Sequence, residues 1–183
     1  MPRTIEIVDP DPSWAAAFVT EAAALRLVFG DALVGMHHIG STGVPGLAAK
    51  PIVDILVVLH ETDSIARFSD AMEGLGYNVR GECLDAEVPG TPGRFYCSKD
   101  SAGVRTHHVH VCASSHPQVA DLLVLRDYLR SAPARAAAYG SLKHELAQRH
   151  CTDNVAYMRG KASFVRTLLE EARAWARSRH RDV

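Results

Sequence analysis

The 183-residue sequence lacks a strong net charge and a long uninterrupted apolar segment. Lysine and arginine number 20 against 21 acidic residues, a balance that excludes a general attraction to nucleic acid or to acidic membranes. Any polyanion site must therefore be local, and neither a nucleic-acid nor a membrane partner is expected. The most hydrophobic run, residues 52–59, is far shorter than the roughly 20 residues that a membrane-spanning helix requires.

Paired cysteines are also absent from the sequence. The 4 cysteines show no C-x-x-C spacing, and the first residues do not resemble a signal peptide. We therefore expect reduced thiols and a cytoplasmic protein. The composition, 47% hydrophobic and 22% charged, is that of a globular protein. The length fits one domain over residues 1–183, with a helical C-terminal part over 116–178.

Hydrophobic periodicity predicts an α+β fold. Apolar residues at helical spacing predict helices over residues 13–29, 63–75, 118–130, 134–149 and 153–177. Alternating and β-branched segments predict strands over residues 34–39, 52–59, 94–98 and 106–112, with weaker candidates at 4–8 and 77–80 and a loop over 81–93. These segments would form a mixed sheet of about four or five strands with flanking helices and a C-terminal helical tail.

A glycine-rich loop joins the first two core strands, within residues 34–59. Its glycines permit positive φ and close approach of the backbone to a ligand, and Ser41 and Thr42 add hydroxyl groups. Such a loop can cradle phosphate, although it matches neither the P-loop nor the dinucleotide-binding pattern and could be a turn of purely geometric purpose. Lys50, held extended by Pro51, would add a cation beside it, or else is a solvated lysine.

Polar side chains also occur on the predicted core strands. Asp54 stands where a core residue is expected, and desolvation of an unpaired carboxylate is costly, so Asp54 should reach a cleft or face a cation. Period two places His108 and His110 on one face of their strand, with imidazoles about 6 to 7 Å apart. With Asp54 they could bind one divalent metal, or they could instead hydrogen-bond neighbours or bind phosphate.

The helical tail contributes basic residues. Arg126 lies at the edge of an apolar helix face, where it could clamp phosphate or form a surface ion pair. Tyr139 and Lys143 are four residues apart and could line the same cleft, although Tyr139 would equally suit the edge of the core. His38 either joins the other histidines or packs beneath the loop.

Residues 38–55, His-Ile-Gly-Ser-Thr-Gly-Val-Pro-Gly-Leu-Ala-Ala-Lys-Pro-Ile-Val-Asp-Ile, resemble the signature of the GrpB-like family. Further matches lie at 105–111, 125–130, 139–143 and Lys161. That family is similar to the nucleotidyltransferase superfamily, which has a polymerase-β-like fold. In active members of the superfamily a Gly-Ser loop holds nucleotide phosphates, and three carboxylates hold two magnesium ions that stabilise an in-line displacement.

The superfamily pattern is only partly present in this chain. Gly40 and Ser41 match the Gly-Ser pair, and Asp54 matches the first carboxylate, but Leu56 occupies the second position. His108 and His110 occupy the strand of the third. The resemblance, for Asp54, and the strand geometry, for His108 and His110, together predict catalytic and metal-binding roles for these three residues, with Mg, Mn or Zn as the divalent metal. The resemblance implies ligand-binding roles for His38, Gly40, Ser41, Thr42, Lys50, Arg105, Arg126, Tyr139, Lys143 and Lys161.

Two classes of function follow from this partial pattern. The first is a divergent enzyme that transfers a nucleotidyl or phosphoryl group, with a histidine as base if the acceptor is a hydroxyl. The second is a non-catalytic nucleotide- or anion-binding module that has lost the magnesium carboxylates. In both, the expected partner is a nucleotide or a phosphorylated small molecule. Oligomeric state is not readable from the sequence.

Overall fold

The computed structural model describes residues 4–60, 65–82 and 92–179. Its strands are β1 Leu33–Ile39, β2 Val53–Leu59, β3 Tyr77–Glu82, β4 Arg94–Ser101 and β5 Val104–Ala113. Its α-helices are α1 Ser13–Phe29, α2 Ser69–Gly74, α3 Pro117–Ser131, α4 Pro133–Arg149 and α5 Asn154–Arg179. Short 3-10 turns lie at Gly30–Ala32, Ser41–Gly43 and Ile65–Phe68.

The strands form one mixed sheet in the order β1-β2-β5-β4-β3. Strands β2 and β5 are parallel and the other neighbours are antiparallel. The register places Asp54 beside His108 and Leu56 beside His110. The predicted mixed sheet with flanking helices and a helical C-terminal part is confirmed. Division of the whole chain into a single domain stays a prediction.

The two faces of the sheet have different coverings. Helices α1 and α2 bury one face in a core that includes Leu25, Ile55 and Val109. On the other face, α3 covers a smaller apolar cluster that includes Leu56 and Cys112. Because side chains alternate along a strand, Asp54, His108 and His110 share this second face, at the end where α3 does not cover it.

The C-terminal helices pack onto the glycine-rich loop. Val44 and Leu47 of the loop are buried against apolar residues of all three helices, among them Leu129, Tyr139 and Leu168. This packing brings residues from the last third of the chain to the end of β1. The basic residues of the tail can therefore reach the loop.

Several predicted boundaries differ from the observed ones. Residues 4–8 do not form an edge strand, because their backbone bonds elsewhere: Val8 bridges to Ala49, and the Ile5 amide donates to the Cys151 carbonyl. The helix predicted over 63–75 is a 3-10 turn followed by the short α2, and residues 63 and 64 lie outside the described residues. Most of the loop predicted over 81–93 lies outside them too. Strands β4 and β5 are longer than predicted because they continue as a hairpin through a turn at Ala102 and Gly103, both with positive φ.

Among the described residues, one helical segment, residues 13–32, is long and apolar enough to cross a membrane, by length and composition alone. The search for an uninterrupted apolar run in the sequence did not find this segment. A core helix passes the same test, and Trp14, Leu25 and Phe29 are buried against the sheet. The cytoplasmic location stays a prediction.

Candidate functional site

The glycine-rich loop and Asp54 are in direct contact. Gly40 follows the last residue of β1 with φ of 65°, a conformation that favours glycine. A Cβ atom at Gly40 would lie 2.3 Å from Oδ2 of Asp54, so the carboxylate packs against the bare Cα. The absent side chain therefore allows the loop and the carboxylate to meet.

His38 and Thr42 lie beneath the loop. The His38 Nε2 atom is 3.0 Å from the Thr42 hydroxyl, which donates to the Ile52 carbonyl at 3.2 Å. The imidazole also stacks on Phe18 with ring centres 4.9 Å apart. Burial lowers the pKa of His38 to about 4, so the ring is neutral and supports the loop. Direct ligand contact by His38 or Thr42 stays a prediction.

Asp54 faces both predicted histidines. Its Oδ1 atom lies 3.0 Å from His108 Nδ1 and 3.9 Å from His110 Nε2, and the carboxylate is 28% exposed. The imidazole centres are 6.4 Å apart, as the strand geometry predicted. Burial raises the pKa of Asp54, but hydrogen bonds and charge from the two histidines lower it more, to well below its ordinary range. Asp54 is therefore ionised.

Two arginines bond to the far sides of these imidazoles. Arg94 lies with Nη2 2.9 Å and Nε 3.2 Å from His110 Nδ1, and Arg105 Nη1 lies 3.4 Å from His108 Nε2. Because arginine only donates, these imidazole nitrogens accept, and the nitrogen of each ring that faces Asp54 carries a proton. Burial lowers the pKa of His110, which favours its neutral form. The role of Arg94 was not predicted, since nothing in its spacing marks it.

Lys143 connects α4 to the loop. Its side chain is buried, and Nζ donates to Ser41 Oγ at 2.8 Å and to the Ala48 carbonyl. Nζ also lies 4.6 Å from the centre of the Tyr139 ring. Burial and the positive charge of Lys161 lower the pKa of Lys143 to about 7, against the opposing effect of Asp54. Lys143 thus lies against the loop, and ligand contact by Lys143 stays a prediction.

Lys50 and Lys161 lie over the same aromatic ring. Their Nζ atoms are 4.5 Å and 5.4 Å from the centre of the Tyr157 ring, and Lys50 donates to Asn154 Oδ1 at 3.0 Å. Burial and the charge of Lys161 lower the pKa of Lys50 to about 8, and burial lowers the pKa of Lys161. None of the three lysines forms an ion pair with a described carboxylate. Lys50, Lys143 and Lys161 are called the lysine cluster below.

The arginines of α3 bond to carbonyl groups of the loop and of the end of β1. Arg126 Nη1 donates to the His38 carbonyl at 3.3 Å, and Arg130 Nε donates to the Gly43 carbonyl at 2.8 Å. Arg126 also pairs with Asp127 at 2.8 Å, which is the surface ion pair considered for it from the sequence. Tyr139 is buried and stacks on Phe164, as a core-edge aromatic would. Ligand contact by Arg126 or Tyr139 stays a prediction.

A cleft of about 650 Å³ is lined by Lys50 of the lysine cluster and by His108, the histidine that contacts Asp54. His108, Lys50, Arg105 and Tyr96 are among the residues that line it. Arg105 is held by Asp100 at 2.5 Å and by the Tyr96 hydroxyl at 3.1 Å. The cleft is large enough to hold a small molecule beside the carboxylate–histidine pair.

The donor atoms do not fit the two-magnesium arrangement of the superfamily. Magnesium prefers oxygen ligands, and here Asp54 supplies the one carboxylate of the pattern. Leu56, at the second carboxylate position, is fully buried beneath α3. Within residues 4–60, 65–82 and 92–179, no three His, Cys, Asp or Glu side chains are grouped so that they could hold a metal ion. A metal bound by Asp54, His108 and His110 stays a prediction.

Comparison with known proteins identifies the family of this chain. A family model described as GrpB protein matches residues 4–171. The chain belongs to the GrpB family. It is 37% identical over 178 residues to the UPF0157 protein YqkA of Bacillus subtilis, an alignment that covers 97% of this chain and 50% of YqkA. The chain thus spans half the length of that relative.

Solved structures agree with this GrpB-family fold. The crystal structure of the conserved protein GrpB from Enterococcus faecalis superposes with a TM-score of 0.84 at 35% identity, covering 93% of this chain and 99% of that one. Terminal uridylyl transferase 4 from Trypanosoma brucei, with bound dUTP, superposes with a TM-score of 0.53 at 16% identity, covering 83% and 52%. The second likeness shows the fold alone. The predicted family and the nucleotidyltransferase-like fold are both confirmed.

Proposed function

We propose that this GrpB-family protein binds a nucleotide or a phosphorylated small molecule between the loop at 40–46 and the lysine cluster. The observation that carries the proposal is the buried Lys143, which donates to Ser41 of the loop beside two further lysines. Burying cationic groups without carboxylate partners is unfavourable unless an anion compensates them. A phosphate bound over Ser41 would supply that compensation.

The form of the loop supports the same ligand class. The positive φ of Gly40 and the following 3-10 turn bring backbone and a hydroxyl to the end of a strand, an arrangement suited to phosphate. A protein of similar fold, terminal uridylyl transferase 4 from Trypanosoma brucei, was solved with bound dUTP. Nucleotides are therefore the first ligands to test.

Group transfer is a second candidate function, favoured by the position of His108 on the cleft. Asp54 holds the Nδ1 proton of His108, so Nε2 is the basic atom, and it makes only a long 3.4 Å contact to Arg105. An acceptor hydroxyl in the cleft would give its proton to Nε2 as its oxygen bonds to phosphorus. The bond from phosphorus to the leaving phosphate would break, and the leaving group would take the electron pair.

Calorimetric titration with ATP, UTP and inorganic pyrophosphate tests the binding proposal. Lys161→Gln should weaken binding about tenfold or more, since a charge-assisted contact contributes about 1.5–3 kcal/mol. Arg149→Gln is the matched control, because this exposed α4 side chain pairs with Glu145 away from the loop. Failure of the unaltered protein to bind any of the three probes, or equal loss in both variants, would contradict the proposal.

A further inference from the structure

We infer that the site binds its phosphate ligand without a divalent metal, the lysine cluster supplying the positive charge that magnesium supplies in related folds. The inference rests on the proposed function, because it concerns how that same ligand is held. Three independent features of the site carry it: the state of the histidines, the burial at Leu56 and the balance of charge.

The imidazole nitrogens that could bind a metal each face a guanidinium cation. A metal binds the unprotonated nitrogen of a neutral imidazole. In His110 that atom accepts from Arg94 at 2.9 Å, and in His108 it accepts from Arg105 at 3.4 Å. The other nitrogen of each ring carries the proton that faces Asp54. A metal at this position would have to displace two guanidinium cations.

Leu56, a buried apolar residue, occupies the position of the second magnesium carboxylate. Leu56 has no exposed surface and lies in the apolar cluster with Ile39, Val58 and Cys112, which α3 covers. The remaining oxygen of Asp54 is also confined, because Oδ2 packs against Gly40. One partly enclosed carboxylate is a poor substitute for the oxygen-rich set that Mg²⁺ requires.

The charge of the site is already positive. Burial lowers the pKa of Lys50, Lys143 and Lys161, and the negative charge of Asp54 opposes that lowering in all three. When all three are protonated they exceed Asp54 by two positive charges, the charge of one divalent ion. A bound phosphate would itself favour protonation of Lys143, the lysine whose pKa is about 7. Lysine side chains of the protein therefore supply the positive charge for the anion bound at the loop.

Titration of the unaltered protein with ATP tests this inference, once in excess EDTA and once in excess Mg²⁺. We expect the dissociation constant in EDTA to be equal to, or lower than, that in Mg²⁺, because free ATP carries more negative charge than its magnesium complex. Binding at least tenfold tighter in Mg²⁺ would overturn the inference and leave the proposed function intact. Absence of binding in both conditions would overturn the proposed function, and the inference with it.

Zinc competition provides a second and independent test. The double variant Arg94→Met, Arg105→Met removes the guanidinium donors that face the imidazole lone pairs, so its zinc affinity should exceed that of the unaltered protein at least tenfold. Competition with a fluorescent zinc chelator measures this difference, and Arg149→Gln serves as the control. If the unaltered protein binds zinc at this site as tightly as the double variant, the inference is wrong.

Discussion

Replacement of Lys143 by methionine should change how stability depends on pH. The side chain is 2% exposed in the folded protein, and its pKa falls from the ordinary 10.5 to about 7. Below about pH 7 the lysine is protonated in both the folded and the unfolded state. Between about 7 and 10.5 the unfolded chain keeps a proton that the folded chain has released, so this group makes the folded state more stable as pH rises.

The size of the effect follows from that pKa difference. Each pH unit in the window contributes up to about 1.4 kcal/mol, so the whole window contributes at most about 5 kcal/mol. The bonds from Lys143 to Ser41 and Ala48 favour the charged form. We therefore expect about 2 to 3 kcal/mol in practice, because a charge-assisted hydrogen bond returns about 1.5–3 kcal/mol.

Urea unfolding of the unaltered protein and Lys143→Met, from about pH 6.5 to about pH 9.5, measures this linkage. The variant should have the larger free energy of unfolding. Its difference from the unaltered protein should be greatest at about pH 6.5 and should become smaller as the pH rises. Contributions of groups that do not interact with Lys143 cancel in the difference. Arg149→Met, an exposed change on the same helix, should show a constant difference. A constant difference for Lys143→Met as well would show that the pKa of Lys143 is not lowered in the folded protein.

Two further substitutions test other parts of the site. Gly40→Ala should lower the free energy of unfolding by at least about 2 kcal/mol, because its Cβ atom would lie 2.3 Å from Asp54. Gly46 also has a positive φ, 79°, but no atom lies within 4 Å of its Cβ position. Gly46→Ala should therefore lower the free energy of unfolding by only about 1 kcal/mol. Equal losses in urea unfolding would show that the contact with Asp54 is unimportant. His108→Gln should abolish pyrophosphate release from ATP in the presence of hydroxyl acceptors while the dissociation constant for ATP changes less than about twofold. A parallel loss of ATP binding would assign His108 to binding and not to proton transfer.

Much of the fold follows from short-range patterns in the sequence. Period two in residues 106–112 places His108 and His110 on one face, and the structure shows them there, beside Asp54. Helical spacing locates all three tail helices to within a few residues. The errors lie where pairing is decided at a distance: residues 4–8 have a strand pattern, yet their partners are Ala49 and Cys151.

The alternation of strand and helix, the glycine-rich turn and the family are readable from the residue order, because they depend on local conformation. Which charged side chains contact each other depends on the packing of distant elements. Lys143 reaches Ser41 across 102 positions, and Arg94 reaches His110 from a neighbouring strand. Burial by the packed helices lowers the pKa of Lys143 and leaves no exposed surface at Leu56. The spacing of residues along the sequence does not predict how α3 and α4 pack, so it does not predict these two effects.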